Sequence, residues 1–382
     1  MMGSAFGGKK VALVHDWLTG MRGGEKCLEV FCELFPDAHL FTLFREKGAV
    51  VPTIERMPTH TSMLQRFPAP LRRRYPYYLP LFPVAASLFA LDGYDIVLSS
   101  SHCVAKGVRC RPGTFHLSYI YAPMRYVWDA FDLYFRRKHT RAGLRVGATL
   151  ARSVLRRWDR NTAQVVDAFL CVSRNVQQQI RRHYRRDAGV VYPPVDLDRF
   201  RPGRKGKGDY YLMAGALVPN KRVDLAVEAF NRLGLPLKIA GVGWDEKLCR
   251  DMAGPHVGFL GRVDDLQLVE LYRNARAFVF PGVDDFGITA LEAQACGTPV
   301  IAYAGGGALE TVTPQTGIFF HEPTCEALMG AVRAMERARH RFLREDMVRN
   351  AARFGRERFK REFAEEVARA YDRWRDRQVT WR

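Results

Sequence analysis

The sequence predicts an α/β protein built from two doubly wound domains, and three observations support this prediction. Short apolar segments alternate with longer segments of helical period, which is the pattern of parallel strands joined by crossover helices. This pattern occurs twice, and in each half several apolar segments run directly into glycines. Between the halves, the proline pair in residues 190–200 and the charged, glycine-containing segment after it disfavour regular structure. We therefore expect domains at residues 1–197 and 198–355, and a closing helix at residues 356–382.

In the first half the sequence predicts strands at residues 11–18, 96–100 and 167–173, each apolar and of strand length. The first of them is followed by a tight turn at Gly23 and Gly24 and then by a helix. Ser173 stands where an N-cap is expected for the helix after the third strand. These elements predict a Rossmann-like first domain.

The second half predicts a second Rossmann-like domain, with helices between six strands at residues 210–215, 237–241, 257–261, 277–282, 299–307 and 317–320. Most of these strands end in glycine, and open α/β sheets bind ligands at the carboxyl ends of their strands. Two such domains that face each other would place both sets of glycine-rich loops across a cleft, where ligands usually bind.

The closing helix is predicted from its apolar period. From residue 356 onward, apolar residues recur every three or four positions, which is typical of an amphipathic helix; they are Phe359, Phe363, Val367, Tyr371 and Trp374. We expect this helix to pack back toward the first domain.

The charge balance favours an anionic partner. Lysine and arginine total 59 against 40 acidic residues, for a net charge of +19, which favours nucleic acid, anionic lipid or phosphorylated substrates. The basic clusters lie near the aromatic segment 75–91, and together they predict contact with an anionic membrane surface. A nucleic-acid-binding protein is an alternative of another class, although no recognised nucleic-acid-binding module accompanies the charge. The clusters are Arg72–Arg74, Arg136–Lys138, Arg156 with Arg157, and Arg181, Arg182, Arg185 and Arg186.

The cysteines and the apolar segments indicate the compartment. Eight cysteines include no C-x-x-C pair and no short Cys/His ligand spacing, which argues against structural zinc and a disulfide framework. His15 and Asp16 interrupt the first apolar run, so it does not form a signal-peptide h-region. Prolines break residues 75–91, the nearest candidate for a spanning helix. We expect a cytoplasmic protein, either free or peripheral on the inner face of the cytoplasmic membrane.

The densest set of chemical groups lies in residues 281–312. Asp284 and Glu292 flank the start of a predicted helix, and residues 286–288 lead into it. Backbone N–H groups at a helix start attract phosphate, so a pyrophosphate there would leave the carboxylates free to hold sugar hydroxyls.

This passage resembles the E-x7-E region of retaining glycosyltransferases of family 4, which have the two-domain GT-B fold. The resemblance covers most of the chain and is strongest to bacterial mannosyltransferases of surface-polysaccharide assembly. It implies a retaining hexosyltransferase that moves mannose from GDP-mannose to a lipid-linked or oligosaccharide acceptor. A UDP-sugar donor, or a degenerate member that binds glycan without transferring it, stays open as an alternative. Similar patterns stand at residues 14–26, 99–107, 122–129, 172–176, 190–200 and 215–230.

The resemblance implies catalytic roles for four residues. Glu292 would bind the ribose hydroxyls of the donor, and Asp284 would face the transferred sugar together with the backbone of Phe286, Gly287 and Ile288. Lys221 would balance the charge of the pyrophosphate, and His102 would face the donor sugar. Each side chain also has a structural alternative, as a helix-start carboxylate, a cap, a solvated lysine or a packed histidine.

The resemblance implies further contacts with the donor and with the acceptor. The family usually has an arginine where this chain has Ala216, and Arg222 would replace it; the family also usually has glutamate at the position of Asp284. No cofactor and no metal ion are implied besides the nucleotide-sugar co-substrate, and the glycines at 241–243 lack the third glycine of an NAD site. The further donor contacts are Gly23, Gly24, Arg222, Gly261 and Val263, and the acceptor-side contacts are Tyr121 and Arg125.

Overall fold

The computed structural model describes residues 6, 8–68, 72, 75–125, 127–129, 131, 142–203 and 208–380. The chain divides into two compact units. Unit 1 comprises Met1–Tyr192 and Phe359–Arg382, and unit 2 comprises Pro193–Arg358. Arg73, Arg74 and the predicted basic cluster at 136–138 lie outside the described residues.

The strands described in unit 1 form one parallel sheet of seven, in the order β3-β2-β1-β4-β5-β6-β7. Its central strands are buried on both faces, as a sheet covered by helices requires. The strands are β1 (Val11–His15), β2 (His39–Thr42), β3 (Thr59–Thr61), β4 (Ile96–Ser101), β5 (Phe115–Ile120), β6 (Ala168–Cys171) and β7 (Gly189–Val190).

Helices connect these strands. Ser173 caps the last of them as predicted, since its Oγ accepts the N–H of Val176 at 3.1 Å. The helices are α1 (Gly23–Leu34), α2 (Pro52–Glu55), α3 (Phe82–Ser87), α4 (Ala142–Thr162) and α5 (Arg174–Tyr184), with 3-10 turns at Met63–Arg66, Tyr75–Leu81 and Ala105–Gly107.

The strands described in unit 2 form a second parallel sheet, of six strands in the order β10-β9-β8-β11-β12-β13. The strands are β8 (Tyr211–Ala214), β9 (Leu237–Ala240), β10 (Val257–Gly261), β11 (Phe278–Phe280), β12 (Val300–Tyr303) and β13 (Gly317–Phe320). The helices are α6 (Val223–Leu233), α7 (Glu246–Met252), α8 (Asp265–Asn274), α9 (Ile288–Ala295), α10 (Ala308–Thr311), α11 (Cys325–Ala338) and α12 (Arg344–Ala352), with 3-10 turns at Pro219–Lys221 and Arg339–Arg341.

The last helix, α13 (Arg356–Thr380), belongs to unit 1 from Phe359 onward. Of its predicted apolar stripe, Phe359, Phe363 and Val367 are buried there, and Tyr371 and Trp374 are half-buried. Phe363 stacks on Phe31 with ring centroids 4.2 Å apart. Tyr371 meets Phe115 edge to face at 5.5 Å. The amphipathic helix predicted from the spacing is therefore present.

The two-sheet α/β fold is as predicted, but single strands differ. The strand β1 ends at His15 rather than at residue 18, because the chain turns at Asp16 to bond another loop. The strand β5 was not predicted, since His116 and Ser118 interrupt its apolar pattern. Both side chains are buried, and His116 satisfies its Nε2 with the hydroxyl of Ser99 on β4, at 2.9 Å.

Candidate active site

Each sheet reverses its strand order at one point, and the loops at these points carry most of the predicted site residues. The reversal lies between β1 and β4 in unit 1, and between β8 and β11 in unit 2. Loops on the two sides of such a point diverge and leave a crevice outside the strand ends, where open α/β sheets bind ligands.

In unit 1, Asp16 organises the loop after β4. Its buried carboxylate accepts hydrogen bonds from consecutive backbone N–H groups at 2.7–2.9 Å, those of His102, Cys103, Val104 and Ala105. Charge-assisted bonds of this kind compensate the cost of burying the carboxylate. The loop that carries His102 is thereby fixed to the end of β1.

The same carboxylate orients the side chain of His102. Nδ1 of His102 lies 3.1 Å from Oδ2 of Asp16, and the ring packs edge to face on Trp17 with centroids 4.3 Å apart. Burial lowers the pKa of His102, although the charge of Asp16 raises it. Because a carboxylate only accepts hydrogen bonds, Nδ1 carries the proton of the neutral ring. Nε2 is then the nitrogen that can accept a hydrogen bond from a ligand hydroxyl.

Tyr121 connects β5 to the glycine turn that begins α1. Its hydroxyl donates to the carbonyl oxygen of Gly24 at 2.9 Å, and its ring centroid lies 6.4 Å from that of His102. The structure thus brings together three of the predicted residues of unit 1. Arg125, the predicted acceptor-side residue, lies in the turn after β5 and is half-buried.

A buried ion pair anchors the loop after β4 on its other side. Nζ of Lys106 lies 2.7 Å from Oδ1 of Asp159 on α4, and both side chains are inaccessible to solvent. Oδ2 of Asp159 accepts from Nε1 of Trp128 at 2.7 Å and from the hydroxyl of Tyr184 at 2.8 Å. A paired and hydrogen-bonded buried charge of this kind specifies one arrangement of the groups around it.

In unit 2, Lys221 and Asp284 form an ion pair between Nζ and Oδ2. Both side chains are largely buried, at 18% and 13% exposure. Asn220 donates from Nδ2 to Oδ1 of Asp284 at 3.4 Å and to the carbonyl oxygen of Val283 at 3.3 Å. The two predicted catalytic residues are therefore in direct contact, on loops that follow β8 and β11.

Glycines allow the loops around this pair to pack backbone against backbone. A Cβ on Gly282 would lie 2.1 Å from the carbonyl oxygen of Asn220, and one on Gly307 would lie 2.3 Å from the backbone of Phe286. The N–H of Gly307 also donates to the carbonyl oxygen of Asp284 at 2.8 Å. The loops after β8, β11 and β12 thus form one close-packed edge, and the predicted strand at 299–307 ends at Tyr303 to form it.

Glu292 lies on α9, the helix that follows Asp284, Phe286 and Gly287. Its side chain is 3% exposed and accepts from the hydroxyl of Tyr272 at 3.3 Å. Burial, with the charge of Glu292, raises the pKa of Tyr272 well above its usual range, so the phenol stays a donor. Gly287 is the N-cap of α9 and has a φ of +92°, a left-handed conformation that favours glycine. Ile288, the first residue of the helix, is half-buried.

Arg222 lies at the start of α6 with a φ of +52°, which is uncommon for a residue with a Cβ. Its Nε lies 3.1 Å from Oδ1 of Asp224, the second residue of α6. Its guanidinium is thus engaged within its own helix.

The glycines at 241–243 have a structural role in unit 2. A Cβ on Gly241 would lie 1.8 Å from the carbonyl oxygen of Gly215, and one on Gly243 would lie 2.2 Å from that of Leu217. These glycines therefore let the loop after β9 pack on the backbone that flanks Ala216. The predicted base contact, Gly261, ends β10 and accepts the N–H of Gly241 at 2.7 Å; Val263, half-buried, lies just after it.

Sequence reasoning missed the polar residues that hold these loops. His15, Asp16 and Glu25 of unit 1 are buried, as is Ser100 on β4, yet each is polar or charged. The signal was available, because two charged or titratable residues directly after an apolar strand are unusual unless they are bonded. Asn220 of unit 2 was missed in the same way.

Neither a membrane span nor a metal cluster is found in the part of the chain that the structure describes. None of its helices has the length and apolar composition needed to cross a membrane. Within the same residues, no three His, Cys, Asp or Glu side chains are grouped so that they could hold a metal ion.

Two family models match the chain. The model described as Glycosyltransferase Family 4 matches residues 23–199, and the one described as Glycosyl transferases group 1 matches residues 195–354. The first match contains Gly24, His102 and Tyr121, and the second contains Lys221 and Glu292. The loops at both switch points therefore lie largely within the matched segments.

Curated relatives resemble parts of the chain. The D-inositol 3-phosphate glycosyltransferase 2 of Catenulispora acidiphila is 34% identical over 233 residues, which are 50% of this chain and 54% of the relative. The D-inositol 3-phosphate glycosyltransferase of Mycobacteroides abscessus is 37% identical over 152 residues, 34% of each chain. The GDP-mannose-dependent monoacylated alpha-(1-6)-phosphatidylinositol monomannoside mannosyltransferase of Corynebacterium glutamicum is 38% identical over 118 residues, 27% of this chain and 31% of the relative. The matches thus span about a third to a half of these relatives.

Solved structures share the fold over nearly the whole chain. Anabaena Alr3699/HepE, solved in complex with UDP and glucose, has a TM-score of 0.69 at 14% identity and covers 94% of this chain and 99% of its own. WaaG, a glycosyltransferase involved in lipopolysaccharide biosynthesis, has a TM-score of 0.62 at 15% identity, with 94% and 98% covered. Identities this low establish the fold alone. Together with the two family models, they lead to one conclusion: the chain belongs to the glycosyltransferases with the GT-B fold, and it combines a family 4 domain with a group 1 domain.

Proposed function

We propose that this protein is a retaining hexosyltransferase that moves mannose from GDP-mannose to a lipid-linked or oligosaccharide acceptor in the biosynthesis of a bacterial surface polysaccharide. Family membership supports the reaction class. The mannose donor is supported by the GDP-mannose-dependent relative from Corynebacterium glutamicum, which matches 27% of this chain.

The observation that carries the proposal is the contact between Lys221 and Asp284 at the switch point of unit 2. A pyrophosphate beside this pair would gain a cation from Lys221 and N–H groups from the start of α9. As the bond to the sugar breaks, negative charge grows on the departing phosphate oxygen. A fixed ammonium group beside that oxygen stabilises the transition state more than the bound donor, because the charge develops in the transition state. Asp284 would hold Lys221 in place, and its carboxylate would accept a hydrogen bond from a hydroxyl of the sugar.

In unit 1, His102 suits recognition of a sugar. Asp16 fixes its tautomer, so its Nε2 accepts a hydrogen bond from a sugar hydroxyl. The unprotonated Nε2 of a neutral imidazole binds a group that donates a hydrogen bond, such as a hydroxyl, and does not bind a group that can only accept one. This orientation supports the proposed role of His102 in sugar binding, which the resemblance implies.

A UDP-sugar donor is the second candidate. It is favoured by the fold shared with Alr3699/HepE, whose structure contains UDP and glucose. The loop with Gly261 and Val263 would contact the base, and this contact would decide between guanine and uracil.

The donor is identified by ligand-induced stabilisation followed by turnover. A ligand that binds only the folded protein raises its melting temperature, so GDP, UDP, ADP, GDP-mannose, UDP-glucose and NAD are compared on wild type and Glu292→Ala. We expect stabilisation by GDP and GDP-mannose, and its loss in the variant. Stabilisation by UDP and UDP-glucose alone would favour the second donor.

No shift with any nucleotide, together with salt-sensitive binding of a DNA or RNA duplex, would replace the transferase proposal with a nucleic-acid-binding function. Donor binding with no transfer to any acceptor would favour a degenerate member of the family. We also propose that the reaction needs no divalent ion, in which case EDTA leaves the rate of transfer unchanged.

We further propose that unit 1 contacts an anionic membrane surface, where a lipid-linked acceptor would be found. The support is an exposed apolar face beside α3, formed by Leu81, Val84 and Leu88, which are 45%, 52% and 64% exposed and follow helical spacing. Arg72, the nearest described member of the basic clusters in sequence, donates to the carbonyl oxygen of Gln65 at 3.0 Å. An exposed apolar face of this kind suits the interface of a bilayer.

Part of the predicted basic surface is engaged inside unit 1 instead. Nε of Arg156 donates to the carbonyl oxygen of Val127 at 2.5 Å, and Arg186 donates to that of Val166 at 2.7 Å. These arginines stabilise the unit and are poorly placed to bind lipid. The membrane proposal therefore depends on the face at residues 81–88.

Sedimentation with vesicles tests the membrane proposal. We expect the variant Leu81→Ser/Val84→Ser/Leu88→Ser to lose binding to vesicles that contain phosphatidylglycerol. The control Val154→Ser/Val165→Ser removes valines that are 71% and 69% exposed elsewhere on unit 1 and should bind like wild type. Equal binding by both variants would refute a role for this face.

A further inference from the structure

A chain of hydrogen bonds runs through the interior of unit 1, from the end of β1 to the glycine turn of α1. Nδ1 of His15 lies 2.9 Å from Oγ of Ser100, and Oγ of Ser100 lies 2.8 Å from the hydroxyl of Tyr121. The hydroxyl of Tyr121 lies 2.9 Å from the carbonyl oxygen of Gly24. These contacts join strands β1, β4 and β5 to the start of α1.

The direction of each bond in this chain is fixed by the carbonyl at its end. A carbonyl oxygen only accepts, so the Tyr121 hydroxyl must donate its single proton to Gly24. Ser100 must then donate its own proton to the oxygen of Tyr121. The oxygen of Ser100 is left to accept, so Nδ1 of His15 must carry a proton.

The surroundings of Nε2, the other ring nitrogen of His15, indicate whether it also carries a proton. Nε2 is buried and has no hydrogen-bond partner, and it faces Oε1 of Glu25 at 3.7 Å. Oε2 of Glu25 accepts the N–H of Arg22 at 3.0 Å, so the carboxyl group is held in position. If His15 were neutral, its Nε2 lone pair would face a carboxylate oxygen inside the protein, which is repulsive. A proton on Nε2 turns this contact into attraction between opposite charges.

We infer that His15 is held as an imidazolium opposite the Glu25 carboxylate, and that this pair, through Ser100 and Tyr121, positions the Gly24 backbone for the transfer reaction. The inference rests on the proposed function in this last respect. His15, Glu25, Ser100 and Tyr121 are then positioning residues. The Tyr121 hydroxyl is engaged with Gly24 and Ser100, so its part on the acceptor side is to hold the turn rather than to bind the acceptor.

The surroundings of the pair agree with this assignment. Burial alone would raise the pKa of Glu25, but the nearby imidazole of His15, with a smaller contribution from the charge of His102, lowers it below its ordinary value. The ring centroids of His15 and His102 are 6.2 Å apart, and Oδ2 of Asp16 lies 3.1 Å from Nδ1 of His102. Two carboxylates, Asp16 and Glu25, thus flank two imidazoles, and a positive charge on one imidazole is compensated.

The protonation of His15 is measured directly by NMR of histidine labelled with nitrogen-15. We expect both ring nitrogens of His15 to carry protons in the wild type at neutral pH. In Glu25→Gln the amide can donate to Nε2, so we expect a neutral His15 with its proton on Nδ1. A neutral His15 in the wild type would overturn the inference, whatever the enzymatic activity is.

The positioning role is tested by kinetics with a matched control. Ser100→Ala and Tyr121→Phe should each lower kcat about tenfold or more while KM for the donor changes little, and the double variant should be no worse than either single one. Glu25→Ala should lower kcat similarly, whereas Glu25→Gln should restore most of it. The control is Ser99→Ala, which removes the neighbouring buried hydroxyl that bonds His116 on β5. It should keep the wild-type kcat.

The outcomes separate the inference from the proposed function. If Ser100→Ala and Tyr121→Phe lower the melting temperature but have the same kcat as the control Ser99→Ala, the chain of hydrogen bonds is structural only. The positioning role is then refuted. If the wild type transfers sugar from no donor, the proposed function fails, and with it the positioning role. The NMR experiment still decides whether the buried ion pair exists.

Discussion

The ion pair between Lys221 and Asp284 is the contact on which the proposed donor site depends. Asp284→Asn removes the charge that holds Lys221, and the neutral amide is a weaker acceptor for a sugar hydroxyl. We expect kcat/KM for the donor to fall about tenfold or more, because charge-assisted hydrogen bonds are among the stronger ones. Steady-state kinetics measure this effect.

The control for this substitution is Asp265→Asn on α8. Asp265 is 58% exposed and pairs with Arg199, so the variant breaks a surface ion pair in the same unit. Such pairs contribute about 1 kcal/mol or less. Wild-type kinetics in this control are expected; an equal loss in both variants would mean that Asp284 acts only through general electrostatics.

At the scale of elements, the close-packed loops of unit 2 depend on Gly307. An alanine there would place Cβ 2.3 Å from the backbone of Phe286, so the loops after β11 and β12 must separate. We expect Gly307→Ala to lower the free energy of unfolding by about 1–3 kcal/mol and to weaken donor binding. Urea denaturation and nucleotide titration measure the two effects.

Gly330 provides the matched control for that substitution. It lies within α11, and no atom would meet an added Cβ within 4 Å. Because glycine is a poor helix former, Gly330→Ala should stabilise the protein by about 1 kcal/mol or less. If both variants were destabilised alike, the loss in Gly307→Ala would not be due to the close packing of the loops around Gly307.

The contact between β4 and β5 predicts sensitivity to acid. Burial, with a smaller effect from the charge of Lys106, lowers the pKa of His116 to about 3. Between that value and the ordinary value of 6.5, the unfolded chain binds a proton that the folded chain does not, so stability falls as the pH falls. The loss is about 2 kcal/mol between pH 6.5 and pH 5.

His116→Gln tests this effect, because glutamine can still bond the hydroxyl of Ser99 and does not titrate. Chemical denaturation at several pH values should show a shallower loss of stability in the variant than in the wild type. Identical pH dependence would mean that His116 is accessible to protons in the folded protein.

At the scale of the whole molecule, α13 returns the end of the chain to unit 1. Phe363 is 1% exposed and stacks on Phe31. Phe363→Ala should lower the stability of unit 1 by about 3–5 kcal/mol, since a large buried ring is removed. Urea denaturation followed by a probe in unit 1 measures the change. Arg361→Ala, which removes an exposed side chain of the same helix, serves as control. If the two variants unfold alike, the packing of Phe363 contributes little.

The sequence allowed the α/β class, the strands of unit 2, the final helix and most residues of the candidate site in unit 2 to be predicted. The strands β2, β3, β5 and β7 of unit 1 were not predicted. Apolar period and glycine position are local properties, so they could be seen without knowing which strands pair. The network around His15 and Asp16 could not be predicted in this way. It depends on the placement of β4 between β1 and β5, and His15, Ser100 and Tyr121 are far apart in the sequence.

The same limit applied to the basic clusters. Arg156 and Arg186 look like solvated surface in the sequence, because nothing local shows that carbonyl oxygens of other segments lie within their reach. The pairing of Arg222 with Asp224 was not predicted either, because side chains two residues apart do not face each other on a regular helix, and the missing arginine at Ala216 directed attention to phosphate instead. In each case the deciding neighbour, and not the residue type, set the role.

The four N–H groups bound to Asp16 have a consequence for how unit 1 moves. Residues 102–105 form a loop, and amide hydrogens in loops usually exchange with heavy water quickly. Here each of these hydrogens is held by a buried carboxylate, so exchange should be as slow as in the neighbouring strands. The backbone that carries His102 would then open only when the sheet itself opens.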